Sequence, residues 1–205
     1  MSAPLHRAGL WGALALLLAG CGGTGTSSAP PVIDIALIGF NDFHGNLEPP
    51  KQSIRVQDAS GTSTALPAGG VAYMASAIAA LKERTPHHAV VSAGDLVSAS
   101  PMLSSLFLDE PTVEVMNHIA IDFNAVGNHE FDRGWRELLR LQHGGCEQFT
   151  VRAPCQVSQP FTGARFGFLA ANVQREDGKP LLAATGTKRF SQGGASVTVG
   201  FIGMT

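Results

Sequence analysis

The chain has 205 residues, of which 44% are hydrophobic and 15% are charged, and its formal net charge is −2. This composition predicts a globular protein with enough chain for one core of ordinary domain size. The near-neutral charge balance leaves no basic stripe, which argues against nucleic acid as a binding partner.

The first residues have the pattern of an export signal rather than of a folded element. An apolar stretch from Leu10 to Leu18 is too short to span a bilayer comfortably. The segment Leu18–Cys21 resembles a bacterial lipobox, which implies cleavage before Cys21 and a lipid on its sulfur. We therefore expect a lipoprotein signal peptide over residues 1–20 and contact with a membrane through this anchor only. An ordinary secretory signal with a chance cysteine is the alternative.

Residues 21–31 are rich in Gly, Ser, Thr and Pro and show no apolar periodicity. Such a composition is typical of a flexible linker, which would join the lipid anchor to the folded part of the chain. The folded part is expected over residues 32–205, where apolar runs alternate with amphipathic patterns.

Apolar runs predict the strands of the folded part, and three- and four-residue spacing of apolar side chains predicts its helices. Strands are expected over 32–40, from 89 to the Gly-Asp pair at 94–95, and over 123–126, 166–173 and 195–202. Helices are expected over 71–81, 112–119 and 133–141, with a loop and a short helix at 98–107. The polar segments 51–67 and around 178–180 are predicted to be loops. The expected fold class is α/β.

Three of the predicted strands end in side chains that can bind a metal ion. Asp42 and His44 follow the first strand, Asp95 follows the second, and Asn128 and His129 follow the third. Ligands of open α/β sheets bind outside the carboxyl ends of the strands, so these side chains converge if the strands are neighbours. Taken alone, the first two motifs are more often ordinary strand ends or turns, whereas Gly127–Glu130 is more specific. Together, carboxylate, imidazole and amide donors suit divalent ions of the Mn, Zn or Fe type.

The order of the motifs favours a site with two metal ions. A carboxylate can bridge two cations, and Asp95 on the middle strand is best placed to do so. Two ions about 3.5–4 Å apart can clamp the attacking and leaving oxygens of a phosphoryl transfer. Asp132 lies a turn beyond His129, where the N-cap of the third helix is expected, and this structural role is compatible with a catalytic one.

Cys146 and Cys155 bracket a short polar loop. If Cys21 carries a lipid in an exported protein, the two remaining cysteines should form a disulfide. A metal site is the alternative, but no nearby histidine or cysteine supports it.

The motifs Asn41–Gly45, Gly94–Asp95 and Gly127–Asp132 resemble those of the calcineurin-like metallophosphoesterases, and most of all those of the 5'-nucleotidase / UDP-sugar hydrolase branch. The resemblance runs from about Val32 to Thr205. It implies an α/β fold of the metallophosphoesterase type, an αββα sandwich, here incomplete. In the family, further metal-binding histidines and a separate nucleotide-binding domain follow. The resemblance therefore implies that residues 32–205 are the N-terminal part of such a domain.

The resemblance also assigns the metal ligands. Asp42 and His44 would bind the first of two divalent ions, Asn128 would bind the second, and Asp95 would bridge both. The identity of the ions, Mn, Zn, Fe or similar, stays open. A water or hydroxide bound to these ions would be the nucleophile.

Two further residues would be catalytic by the same resemblance. His129 would not bind metal but would face the phosphate and stabilise the negative charge that develops there. Asp132 would hold the His129 ring and favour its protonated form. Glu130 has no charge-handling role that the sequence supports and is interpreted as structural.

The expected function is hydrolysis of nucleotides or nucleotide sugars by an exported enzyme, a periplasmic or cell-surface lipoprotein of a bacterium. Three alternatives are a 2',3'-cyclic-nucleotide phosphodiesterase, a relative of the thiosulfohydrolases and a non-catalytic surface binding lipoprotein. The chain alone is expected to bind metal poorly and to turn over slowly or not at all.

Overall fold

The computed structural model of the protein describes residues 32–51 and 53–205. The expected signal peptide over residues 1–20, the linker over 21–31 and the lipid on Cys21 therefore lie outside the described residues. Within the described ranges, no helix is long and apolar enough to cross a membrane.

Strands and helices alternate along the described chain. The strands are β1 (Ala36–Phe40), β2 (Ser53–Gln57), β3 (Ser63–Pro67), β4 (His88–Ser92), β5 (Phe123–Ala125), β6 (Gly167–Leu169), β7 (Thr185–Gln192) and β8 (Ala195–Ile202). The helices are α1 (Gly70–Arg84), α2 (Met102–Ser105), α3 (Glu110–Ile119) and α4 (Trp135–His143), with a 3₁₀ helix at His129–Phe131.

The central sheet has four strands in the order β1-β4-β5-β6, and all neighbouring strands are parallel. The chain between β1 and β4 contains α1, the chain between β4 and β5 contains α2 and α3, and α4 lies between β5 and β6. Parallel strands require such crossovers, and their carboxyl ends then meet at one edge of the sheet. The expected α/β fold class is confirmed, and so is the expectation that the three motif-bearing strands are neighbours.

The helices bury their apolar stripes in one hydrophobic core with the sheet. The core unites strand residues such as Ile38 and Val90 with Val113 and Met116 of α3 and Leu138 of α4. Burying a side chain of this size contributes about 1.5–3 kcal/mol each. Two of the three predicted amphipathic helices expose an apolar side chain near one end: Leu81 of α1 and Trp135 of α4 are each 41% exposed.

The segment predicted as a polar loop at 51–67 is instead a β-hairpin. Strands β2 and β3 pair antiparallel with Ile54 opposite Leu66, and their side chains are exposed. The Asp58 carboxylate in the connecting turn accepts hydrogen bonds from the Ser60 and Thr62 backbone N–H groups at 2.9 and 3.0 Å. The hydrogen bond from the Ser60 side chain lowers the pKa of Asp58, and the Thr62 N–H adds to this effect. These strands were not predicted because their sequence is mostly polar. They are defined by backbone pairing with each other rather than by burial of apolar side chains.

The strand predicted over 195–202 is present as β8 with the same bounds, but it is not part of the central sheet. It pairs antiparallel with β7 in a separate two-stranded sheet. A Gly193–Gly194 turn with both φ angles positive joins the two strands. Such a glycine pair between two strands is a recognised hairpin signal, which the pattern of apolar runs alone does not contain. The hairpin contacts the central sheet through Phe201, whose ring centroid lies 5.1 Å from that of Phe123.

The disulfide expected between Cys146 and Cys155 is present, with a Cα–Cα distance of 5.6 Å. It closes a short loop after α4. The Cys155 backbone N–H donates to the buried Glu110 carboxylate at 2.9 Å, so the loop is tied to the start of α3 as well.

Candidate metal centre

Backbone hydrogen bonds join the turn after β1 to the turn after β4. The N–H groups of Asp42, His44 and Gly45 donate to the carbonyl oxygens of Gly94, Asp95 and Leu96 at 3.0, 3.0 and 3.1 Å. Asp42, His44 and Asp95 have φ angles of 53°, 46° and 52°, in the left-handed region that non-glycine residues rarely adopt. Such strain is typical of functional sites, and here it falls on three of the four predicted ligands.

The turn after β5 comes equally close to the turn after β4. A Cβ added to Gly94 would lie 2.8 Å from the backbone nitrogen of Gly127, so neither turn leaves room for a side chain there. The close approach brings the Asp95 carboxylate to the 3₁₀ helix, where its Oδ1 accepts a hydrogen bond from the His129 N–H at 3.0 Å. Asp95 is thereby linked to both neighbouring motifs.

Glu130 fastens the second and third turns together. Its buried carboxylate accepts hydrogen bonds from the N–H groups of Asp95, Leu96 and Gly127 at 3.0, 2.8 and 2.6 Å, and from the Asn124 amide at 3.2 Å. Burial raises the pKa of the Glu130 carboxyl, and these hydrogen bonds partly offset the increase. Glu130 thus has an organising role within the site, which the sequence identified only as structural.

Three of the predicted site residues form a compact cluster. One ligand atom from each of His44, Asp95 and His129 can be chosen so that all lie within 4.8 Å of one another. The His44 Nδ1 lies 3.0 Å from the Ser98 carbonyl oxygen. Because a carbonyl only accepts, Nδ1 carries the proton in the neutral ring and Nε2 keeps its lone pair free. This arrangement is the common one for a metal-binding histidine.

The two remaining predicted ligands flank this cluster. Asp42 is exposed, and its Oδ1 lies 3.8 Å from the His44 Nε2. Its other oxygen accepts a short hydrogen bond from the neighbouring Asn41 amide. Asn128 is exposed at the residue before the 3₁₀ helix and so borders His129 directly. Both side chains face solvent beside the cluster.

His129 and Asp132 form a hydrogen-bonded pair at this edge. The His129 Nδ1 lies 2.8 Å from the Asp132 Oδ2, and this hydrogen bond raises the pKa of the imidazole. The nearby Asp95 and Glu130 carboxylates act in the same direction. The N-cap of α4 is Gly134, so the expectation that Asp132 caps this helix is wrong. Its carboxylate is occupied by the imidazole instead.

The donor set fits a divalent metal ion of the kind the sequence suggested. It offers an imidazole with a free Nε2, a carboxylate with an unshared oxygen and a second imidazole, within one short span. Imidazole and carboxylate together suit Zn, Mn and Fe. The left-handed turns and the hydrogen bonds to the Ser98 carbonyl and to the Glu130 carboxylate hold these residues in place.

Two residues near the cluster were not predicted from the sequence. Asp109 is fully buried, and it pairs with Arg133, which directly follows Asp132. They are 24 positions apart, so no local periodicity could have joined them.

No family model matches the chain. An uncharacterised protein of Acinetobacter calcoaceticus is 56% identical over 164 residues, which are 77% of this chain and 80% of that protein. A cell wall protein of Listeria monocytogenes is 34% identical over 89% of this chain and 23% of its own length. A protein of Treponema pallidum described as a "Probable 5'-nucleotidase" is 32% identical over 54% of this chain and 18% of its own length.

Solved structures of nucleotidases also resemble part of this chain. The NAD nucleotidase of Haemophilus influenzae superposes with a TM-score of 0.58 at 22% identity, over 83% of this chain and 26% of that one. The 5'-nucleotidase precursor of Thermus thermophilus superposes with a TM-score of 0.54 at 26% identity, over 82% of this chain and 28% of that one. The chain thus spans most of the Acinetobacter protein but less than a third of these nucleotidases.

The parallel sheet, the hydrogen-bonded turns that follow its strands and the residue cluster at its carboxyl edge define a metallophosphoesterase-type domain. Relatives and structural neighbours of the chain are 5'-nucleotidases and calcineurin-like phosphoesterases, and the chain matches the N-terminal part of that family.

Proposed function

We propose that residues 32–205 form the metal-binding part of a phosphoesterase that hydrolyses nucleotides or nucleotide sugars. The observation that carries the proposal is the cluster of His44, Asp95 and His129, whose ligand atoms lie within 4.8 Å of one another. The cluster lies at the carboxyl edge of a parallel sheet, where α/β proteins bind their ligands. Similarity to proteins described as 5'-nucleotidases supports the choice of substrate.

Five residues would share the work of binding metal and substrate. Asp42 and His44 would hold one divalent ion, Asn128 a second, and Asp95 both. When bound, such ions lower the pKa of a coordinated water and offset the charge of the phosphate. His129 is assigned to the phosphate rather than to an ion, although its position in the cluster would also permit ligation.

The His129 ring can carry a proton toward the substrate. Asp132 accepts the hydrogen bond from Nδ1 and raises the pKa of the imidazole, which favours the protonated ring. A proton on Nε2 can then be donated to an oxygen of the phosphate as negative charge develops there. A donor preorganised in this way contributes through electrostatic stabilisation of the transition state.

We further propose that this chain is the N-terminal part of a larger enzyme. The chain covers 18% of the Treponema relative and 28% of the Thermus nucleotidase precursor. Residues beyond the present span would then complete the metal shell and the base-binding pocket. Other substrates, such as 2',3'-cyclic nucleotides or the sulfur compounds of thiosulfohydrolases, are compatible with the same cluster. A surface binding protein without turnover is compatible with it as well.

The proposal includes export as a lipid-anchored protein. The disulfide supports an oxidising compartment, because such bonds persist mainly outside the cytosol. Cys21 would carry the lipid, with residues 1–20 removed. Mass spectrometry of the N-terminal peptide from the membrane fraction tests this: an unmodified Cys21, or residues 1–20 retained, would refute the anchor.

Metal binding by the exported chain tests the central claim. Mn²⁺ and Zn²⁺ should bind measurably to the wild type, even if weakly, and Asp95→Asn should abolish the binding. Asp177→Asn removes an exposed carboxylate of the loop before β7 and should leave binding unchanged. Equal binding by wild type and Asp95→Asn would overturn the proposal. A panel of nucleotides, UDP-sugars, cyclic nucleotides and sulfur substrates, offered to the larger parent, then decides the substrate class.

A further inference from the structure

A buried ion pair lies next to the candidate metal centre. The Asp109 carboxylate is fully buried, and the Arg133 guanidinium donates from Nη1 to its Oδ2. The side chain of Arg133 is only 20% exposed. Charges in such surroundings persist only when they are paired and hydrogen-bonded, so their other partners show what the pair is fixing.

The pair fixes Ser98 at two points. The Asp109 Oδ2 accepts a hydrogen bond from the Ser98 backbone N–H at 3.0 Å, and the Arg133 Nη1 donates to the Ser98 Oγ at 3.2 Å. The carbonyl oxygen of the same residue accepts from the His44 Nδ1 at 3.0 Å. Only Ser98 therefore separates the ion pair from a predicted metal ligand.

The pair also supports the turn that carries Asp42 and His44. The Asp109 Oδ1 accepts a hydrogen bond from the Ser104 Oγ at 2.6 Å. A Cβ added to Gly45 would lie 2.8 Å from the Ser104 Cβ, so the turn rests directly on this serine. Asp109 thus holds both the residue that orients His44 and the surface under its turn.

We propose that Asp109 and Arg133 are positioning residues of the metal centre. They hold Ser98 so that its carbonyl keeps the His44 proton on Nδ1 and leaves Nε2 available to an ion. Arg133 also follows Asp132 in sequence, so one side chain connects the His44 turn to the segment that holds His129. The inference rests on the proposed function of this site as a metal centre.

Three variants and a matched control separate positioning from simple stability. The double variant Asp109→Asn/Arg133→Met removes both charges together and so leaves no lone buried charge. Arg133→Gln removes the charge but keeps hydrogen-bond donors, and Arg133→Lys keeps the charge. Lys188→Met breaks a different ion pair, with Asp122 at the opposite end of the sheet.

The first readout is the tautomer of His44 in the metal-free protein, from imidazole ¹⁵N NMR shifts at a pH where the ring is neutral. Wild type, Arg133→Lys and Lys188→Met should show the proton on Nδ1 alone. The double variant should show a mixture of both tautomers, and Arg133→Gln should shift in the same direction by less.

The second readout is the affinity for Zn²⁺ of the same proteins. Loss of an outer partner of a metal-binding histidine weakens metal binding about 10- to 100-fold, and this loss is expected for the double variant. Lys188→Met should keep the wild-type affinity, and Arg133→Lys should keep most of it.

An unchanged His44 tautomer and an unchanged Zn²⁺ affinity in a folded double variant would overturn the inference. If the double variant does not fold, an unchanged tautomer in Arg133→Gln overturns it instead. A wild type that binds no Zn²⁺, while the tautomers respond as expected, would overturn the proposed metal function and still support the positioning of His44.

Discussion

Two neighbouring acidic residues at the start of α3 serve two different regions of the protein. Asp109 pairs with Arg133 and reaches the candidate metal centre through Ser98. Glu110 pairs with Arg140, which also pairs with Glu137, and reaches the disulfide loop through the Cys155 N–H. Both carboxylates are fully buried.

Burial and charge alone therefore do not separate a functional ion pair from an architectural one. Asp109 has a left-handed φ of 62° and is the N-cap of α3, whereas Glu110 is the first residue of the helix. The difference lies in what each network touches next. Around Arg140 every partner is structural, and the guanidinium also donates to the Gly145 carbonyl at 3.0 Å. Around Arg133 the next partner is Ser98, whose carbonyl accepts a hydrogen bond from His44, a proposed metal ligand.

The largest effect is expected from breaking the architectural network. Arg140→Met leaves two buried carboxylates, Glu110 and Glu137, without their cation, and breaking such a buried pair costs about 3–5 kcal/mol. Urea denaturation measures the loss in the free energy of unfolding. The exposed Arg136→Met is the control and should change stability by no more than about 0.5 kcal/mol. A loss as small as the control's would show that Arg140 is not essential to this network.

A change at the other region should cost rate and leave stability intact. In the parent enzyme, His129→Ala should lower kcat by a factor on the order of 10² to 10³, as expected for losing one group that stabilises transition-state charge. Metal content should stay near that of wild type, because the ring is assigned to the phosphate. Metal analysis alongside kcat decides the point. If the variant loses its metal, His129 is a ligand and the assigned role is wrong.

The sequence predicted the parts of the fold that burial dictates. The apolar runs before Asp42, Asp95 and Asn128 are parallel neighbours, because a buried strand needs a continuous apolar segment and a polar end. Strands β2, β3 and β7 were not predicted, because exposed paired strands need no continuous apolar segment.

The candidate site was predictable to the same extent. Strand-end motifs are local in sequence and could be found without a structure. The Asp109–Arg133 pair joins residues 24 positions apart, and neither lies in a repeated pattern. The predicted N-cap role of Asp132 is wrong for a related reason, although the predicted contact with His129 is present. Its position suits a helix N-cap, but the imidazole of His129 competes for the same carboxylate and holds it at 2.8 Å.

Removing the disulfide tests whether the second region is independent of the site. Cys146→Ser/Cys155→Ser should destabilise the exported chain by about 2–3 kcal/mol in the chain-entropy model for a loop this short. Zn²⁺ affinity should stay unchanged, because the loop is tied to Glu110 rather than to Asp109. Unfolding curves and metal titrations on the same samples give both values. A fall in affinity would mean that the two networks are coupled through α3.

The smallest effect is expected at the opposite end of the sheet. The Lys188 Nζ donates to both oxygens of Asp122 at 2.7 and 2.8 Å and ties the β7–β8 hairpin to the start of β5. Both side chains are partly exposed, at 32% and 21%, so solvent screens the pair and Lys188→Met should cost about 1 kcal/mol or less. Asp122 keeps its hydrogen bond from the Val90 N–H, so no buried group is left without a partner. Hydrogen exchange should speed up in β7 and β8 and stay unchanged at the turns around Asp95. If exchange rises at those turns too, the hairpin supports the metal centre after all, and the separation of the two regions does not hold.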